Sequence, residues 1–395
     1  MPYRILSLDG GGAWALIEVR ALIALYGAQA TGHQVLSDFD LVAANSGGSL
    51  VLGGLVENLA LGDLRSYFED EAKRRAVFSP SHKWLLRGMN SLMGFGPKYS
   101  TEDKLPAIQG LLPLTGQSLM TVAASGIGRP GRASVHLLII GFDYDRNRAA
   151  FFRSAPAGTD GAWGQGAPSS ATLAEAIHAS TNAPVNFFDE PAQFPGESRR
   201  FWDGGITGCN NPVLAAVTEA ITLGQNPADI VALSLGTGSV VLPQASPGAA
   251  ASPYEAAQLE SGLLADLKKL ASSILDDPPD AASFIAHTMT GGGRGVTAPA
   301  VSRIVRMSPL VSPVKDSTGN WMAPGGMSAD QFTTLCNITM DALAPEQINA
   351  IAAYAELWLA DKAPNQPIRL DGATLQPEIG YATFGAALRA WKAIR

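Results

Sequence analysis

Residues Tyr3–Leu8 form a short, mainly apolar run that ends in Asp9 and three glycines, and the stretch 13–26 then places Leu16, Val19, Leu22, Ile23 and Tyr26 at helical spacing. Strand, tight loop and helix are the elements this pattern predicts. A second apolar run at 39–43 leads into Asn45, Ser46, Gly47 and Gly48 and then the glycine-containing apolar stretch 49–61, again strand, turn and helix. Residues 135–142 (VHLLIIGF) read as a third strand, Ile230–Leu235 as a fourth and 303–307 as a fifth candidate. Strands alternating with helical segments imply an α/β fold, a mostly parallel central sheet flanked by helices on both faces.

Loops biased toward Gly, Ala, Pro and Ser lie at 155–170, 243–253 and 276–281, with a glycine-rich turn at 291–294. The last two of those loops flank a helical patch at 259–275 that could form a movable cover. Pro345–Leu359 is strongly helical, with Ile348, Ile351, Tyr354, Leu357 and Trp358 on one side. No internal repeat and no convincing linker divides the chain. A single domain over 1–395 is expected, with 241–395 as a helical cover and C-terminal extension.

At 395 residues the chain can bury a large core without a covalent staple. Its two cysteines, Cys209 and Cys336, make neither a disulfide framework nor a zinc site; they read as small buried hydrophobes in a reducing compartment. The net charge of -7 argues against a nucleic-acid partner, because phosphate binding needs Lys and Arg gathered on one face. Charged residues are only 16% of the chain and hydrophobic ones 46%, so Ala, Gly, Ser and Thr should cover much of the surface, which suits a protein that meets lipid. The amino terminus lacks the pattern of a secretory signal, and no apolar run reaches the ~18 residues of a membrane span. A soluble, cytoplasmic protein is expected.

Three glycine-rich segments carry candidate chemistry. Ala44, Asn45, Ser46, Gly47 and Gly48 fit either an ordinary turn or a nucleophile elbow, in which small neighbours let a serine sit on a sharp strand-to-helix turn. Asp9, Gly10, Gly11 and Gly12 follow a strand and open a helix, so that several amides can converge on an anion. This loop is a plain turn, a phosphate cradle or an oxyanion hole; no Lys-Ser or Lys-Thr follows it and no ribose-binding acid ends the second strand, both of which count against a nucleotide. Asp203, Gly204 and Gly205 follow Phe201 and Trp202, so the carboxylate is either in a surface turn or enclosed beside apolar bulk, where it can act as a base.

Taken together and in this order, the three segments resemble the patatin-like phospholipase family, which uses a D-G-G-G loop, a G-x-S-x-G serine and a D-G-G or D-G-A aspartate. Ala179, Ser180, Thr181, Asn182, Ala183 and Pro184, followed by Phe187 and Phe188, and the strand end at 233–238 (LSLGTG) extend the likeness over residues 1–240. The resemblance implies a three-layer fold and a lipid acyl hydrolase of phospholipase A or esterase type. Ser46 would be the nucleophile, Asp203 the general base, and the amides of Gly10, Gly11 and Gly12, with Gly47, the oxyanion hole, supported by Asp9, Ala44, Gly48, Gly204 and Gly205. Lipid or a small acyl ester would be the substrate, with transient contact at a membrane surface and no metal or organic cofactor. Ala44 replaces the elbow's first glycine, and Trp14 and Ala15 stand where the family often has a basic residue and a glycine. These departures motivate a non-catalytic or conditionally activated lipid-binding alternative. A Ser-His-Asp esterase is the other, testable at His33, His82, His136, His178 and His287. Trp84, Met89, Met93 and Phe95, with Lys83, Arg87 and Lys98 nearby, form an apolar stretch that packs in the core, lines an acyl channel or touches a membrane.

Overall fold

The computed structural model describes residues 1–81, 97–154, 170–185, 187–245, 252–256, 262, 278–293, 302–372 and 374–395. Outside these fall the apolar stretch with Trp84, Met89, Met93 and Phe95, together with His82, Lys83 and Arg87, and all but one residue of the patch 259–275.

A seven-stranded sheet runs in the order β4-β3-β2-β1-β6-β8, with β5 also paired to β3. Its strands are β1 (Tyr3–Leu8), β2 (Leu41–Asn45), β3 (His136–Asp143), β4 (Arg148–Arg153), β5 (Phe201–Asp203), β6 (Ile230–Leu235) and β8 (Ile304–Met307). The short β7 (Ser239–Val240) pairs with β9 (Leu310–Val311) beyond the ends of β6 and β8. β1, β2, β3, β6 and β8 are parallel; β4 and β5 run against β3. The two antiparallel strands were not expected from the sequence. β5 is only three residues long, and its pairing is decided by the strand it meets rather than by its own pattern.

Alternation along each strand builds a core on either side of the sheet. Leu6 and Leu8 of β1, Val42 and Ala44 of β2, and Leu137 and Ile139 of β3 face one core; Ile5, Leu41, Ala43, Leu138 and Ile140 face the other. Helices α1 (Leu16–Tyr26), α2 (Ser46–Val56), α4 (Leu173–Ser180), α7 (Pro345–Leu359) and α8 (Phe384–Ile394) cover the first face. The second is covered by α5 (Val213–Thr222) and α6 (Pro278–Met289), while α3 (Thr101–Leu111) packs on α4. This is the expected three-layer α/β architecture.

β1 begins at Tyr3, and Pro345–Leu359 is a helix with the bounds read from the sequence. The run at 39–43 is shifted: pairing carries β2 on to Asn45, opposite Ile140, while Phe39 leaves the strand to pack in the core against Trp391. A 3-10 turn at Gly12–Ala15 precedes α1. The region beyond 240 is more than a cover, because β8 extends the main sheet beside β6.

From the central β1 the chain first moves outward to β2 and β3, then crosses to β6 and β8 on the other side. Such a reversal opens a crevice beyond the carboxyl ends of the strands, the usual ligand position in an open parallel sheet. Both the glycine loop after β1 and Ser46 after β2 sit at that crevice.

Candidate active site

β3 acts as a ruler for Ser46 and Asp203. Asn45, the last residue of β2, is opposite Ile140, and the next residue of β3, Gly141, is opposite Asp203 of β5. β5 therefore fills the edge of β3 that β2 vacates when the chain turns into α2, and Asp203 arrives beside Ser46. The Ser46 side chain lies beside the Asp203 carboxylate and favours its ionised form, and both residues are buried.

Ser46 has φ 45, a left-handed conformation that costs a residue with a side chain about 1–3 kcal/mol. Its neighbours hold it there. The Ser46 amide donates to Ser180 Oγ at 2.9 Å, and the Ser49 hydroxyl donates to the Ser46 carbonyl at 2.6 Å. Asn45 is fully buried, and its amide nitrogen donates to Asp203 Oδ1 at 3.3 Å and to Asn210 Oδ1 at 3.4 Å. Ala44 lies wholly within the core, so a methyl group is accommodated where the family's motif has glycine.

Asp203 also accepts the Gly205 amide at 2.7 Å. Burial pushes its carboxyl above the ordinary carboxylate range, opposed by Ser46, by the bonds from Gly205 and Asn45 and by the charge of Lys104. The result is a stronger base than an exposed aspartate.

The glycine loop is held from several sides. Gly10 donates its amide to the Asn210 carbonyl at 2.8 Å, and its own carbonyl accepts the Thr237 hydroxyl at 2.7 Å. That amide is committed to the loop's own support, so Gly10 does not fit the oxyanion role expected of it. Among the described residues no hydrogen bond uses the amides of Gly11, Gly12 or Gly47. Gly12 has φ +57, and a side chain there would lie 2.3 Å from the Met340 carbonyl oxygen. A Cβ on Gly47 would fall 2.8 Å from the Gly12 nitrogen, which shows how closely the start of α2 approaches the loop. The first turn of α2 adds the positive end of a helix.

Asp9 turns away from the pocket into a buried ionic group. Arg306 of β8 donates to Asp9 Oδ2 at 2.5 Å and to Ser234 Oγ at 2.9 Å, and the Asp9 amide donates to Glu18 Oε1 at 2.6 Å. Burial raises the Asp9 carboxyl to about 6 despite Arg306, and Glu18, buried beside it, is raised well above its ordinary value. Gly48 donates its amide to the Asp9 carbonyl at 3.0 Å, tying α2 to the loop. Sequence reasoning missed Arg306; an arginine within the apolar strand IVRM was its signal, since a buried guanidinium requires an anionic partner. Met340 was also missed: its carbonyl accepts the Ala13 amide at 2.8 Å.

Over Ser46 lies a pocket lined by Leu50, Val77, Phe78, Phe187, Phe188 and Met340. Gly12, Leu50, Val77 and Phe78 are shared with an adjoining apolar cleft that runs to Leu64, Phe68, Ile108 and Leu112, with Lys73 and Arg74 on its wall. Trp14 is buried in the core and lines neither space. The four described histidines, His33, His136, His178 and His287, make no hydrogen bond to Ser46 or Asp203. His136 pairs with Glu219 at 3.1 Å, His33 meets the Val56 carbonyl, and His287 meets Ser302, which lines a cavity with Met1 and Pro2 at the opposite end of β1.

The α/β sheet thus brings together a strained serine at a strand-to-helix turn, a buried carboxylate beside it and unengaged loop amides. The profile of the Patatin-like phospholipase family matches residues 6–217, more than half of the chain, and the chain belongs to that family of lipid-directed hydrolases. No curated protein matches the sequence. Among solved structures, VipD from Legionella pneumophila aligns over 90% of this chain and 67% of its own at 10% identity, with a TM-score of 0.35. No helix among the described residues is long and apolar enough to cross a membrane.

Proposed function

We propose that this chain hydrolyses fatty-acyl esters of lipids with Ser46 and Asp203 as its reacting pair. The observation that carries the reading is Ser46 at the floor of an apolar pocket with the buried Asp203 carboxylate beside it and the unengaged amides of Gly11, Gly12 and Gly47 nearby. Asp203 takes the Ser46 proton as Oγ bonds to the acyl carbonyl carbon, and the three amides receive the negative charge that develops on the carbonyl oxygen. Collapse breaks the ester bond, and the departing alcohol leaves with the proton from Asp203. Water then attacks the acyl-serine, giving one proton to Asp203, and Ser46 recovers its proton as the fatty acid departs. The apolar track from Leu50 to Leu112 suits an acyl chain.

Release of free fatty acid from separate phospholipid and neutral-lipid preparations tests this. Wild type should release it, and Ser46→Ala and Asp203→Asn should each lose on the order of 10⁴-fold or more in kcat with unchanged circular dichroism. A fluorophosphonate probe should label Ser46 in the wild type. An unlabelled, inactive wild type would favour a lipid-binding protein on the same fold; full activity in Asp203→Asn would return the search for a base to the histidines.

A further inference from the structure

Beneath the pocket lies a lysine that the reaction above does not use. Lys104 of α3 is fully buried; its ammonium donates to Asn182 Oδ1 at 2.7 Å and stands 3.9 Å from the centre of the Phe188 ring. Both contacts lead to the site. The Asn182 carbonyl accepts the Asp203 amide at 3.0 Å, and the Phe188 ring lines the space over Ser46. Asn182 is itself fixed, with its side-chain nitrogen donating to the Glu190 carbonyl at 2.7 Å.

A lysine withdrawn from water is costly, and packing alone would be served as well by Met or Leu. What a hydrophobe could not provide is charge. We propose that Lys104 is a positioning residue for the hydrolysis, its buried ammonium fixing Asn182 and supplying the counter-charge that keeps Asp203 ionised toward Ser46. The inference rests on Ser46 and Asp203 being the reacting pair. Burial lowers the Lys104 amine and raises the Asp203 carboxyl, while each charge favours the other, so the two ionised forms support one another.

Other titratable groups nearby are otherwise engaged. His178 of α4 is buried and held neutral by burial and by the Lys104 charge. Asp189 accepts from the Ser81 hydroxyl at 2.5 Å and the Thr101 amide at 3.0 Å. Asp103, on the same helix as Lys104, meets Ser79, and Glu190 is joined to Asn182 through its backbone.

The test is kcat/KM against pH on a chromogenic short-chain ester for the wild type, Lys104→Met, which keeps the volume, and Lys104→Gln, which keeps a donor for Asn182. Without the cation Asp203 holds its proton to higher pH, so the acid limb moves upward in both variants. On the order of tenfold lower kcat/KM is expected at pH 5, with about wild-type values at pH 8. An acid limb that stays in place, or an equal loss at every pH, would overturn the role for Lys104. The same series on Asp203→Asn separates the two ideas: a fully active Asp203→Asn removes the reacting pair itself, whereas an inactive one beside an unmoved acid limb removes only Lys104.

Discussion

The chain up to residue 240 and the chain beyond it contribute to the site in different ways. The first segment supplies Ser46, Asp203, the unengaged amides and nearly all of the apolar wall. The second supplies Met340 to that wall, and otherwise holds the first in place: Arg306 neutralises Asp9, the Met340 carbonyl takes the Ala13 amide, and the Leu343 carbonyl takes Arg74 at 2.8 Å. The two carboxylates beside the glycine loop and the serine express the same difference. Asp9 has a guanidinium pressed against it, while Asp203 is stabilised by neutral donors and a lysine one residue removed, and is left facing a hydroxyl. Charge is incompletely balanced at Asp203 and more closely balanced at Asp9.

Removing Arg306 should break this arrangement most severely. Arg306→Met leaves Asp9 buried with Glu18 and no cation, and a loss of about 3–5 kcal/mol is expected in denaturant unfolding at pH 8. Arg306 keeps the Asp9 carboxyl at about 6 rather than higher, so Asp9 takes its proton at higher pH in the variant, and the deficit should shrink as pH falls toward 6 and level off below it. A deficit independent of pH would mean that Arg306 acts by packing alone.

Asp203→Asn should act in the opposite direction and more weakly. The folded carboxyl is raised above its unfolded value, so its favourable contribution is present below the unfolded pKa, near 3.8, and is lost as pH rises through the raised one. The Asn variant should therefore melt higher than wild type at pH 8, with the advantage gone near pH 4. A lower melting temperature at pH 8 would show that the bonds to Gly205 and Asn45 outweigh burial.

Thr237→Val sharpens the comparison at its small end. It removes the hydroxyl that holds the Gly10 carbonyl while keeping the shape, and a loss of about 0.5–1.5 kcal/mol in thermal unfolding is expected. A loss several times larger would place Thr237 among the main supports of the loop.

Legibility in the sequence followed the same division. Tyr3–Leu8, Ile230–Leu235 and Pro345–Leu359 could be read because each buries a face whose period matches its backbone. The pairing of Ser46 with Asp203 was suggested by short glycine motifs, because such turns need small residues at fixed positions around the reacting side chain. The pairing of β5 with β3 could not be read, since a three-residue strand has no period. Arg306, Met340 and Lys104 act through contacts made only after folding, and each looks ordinary among its neighbours in the chain. Gly10 shows the converse: its residue type was right for a donor, but the carbonyl of Asn210, two hundred residues away, already accepts its hydrogen bond.

The salt link between Asp9 and Arg306 sets a clock on biosynthesis. At ~5–20 residues per second, roughly 15 to 60 s separate the emergence of Gly12 from that of Arg306, and Met340 follows later still. Until then the nascent chain holds its serine and its glycine loop but not the strand that locks the loop. The ionic lock on the glycine loop therefore comes late in synthesis, and an interrupted translation product ending before β8 would carry the family's motifs without it.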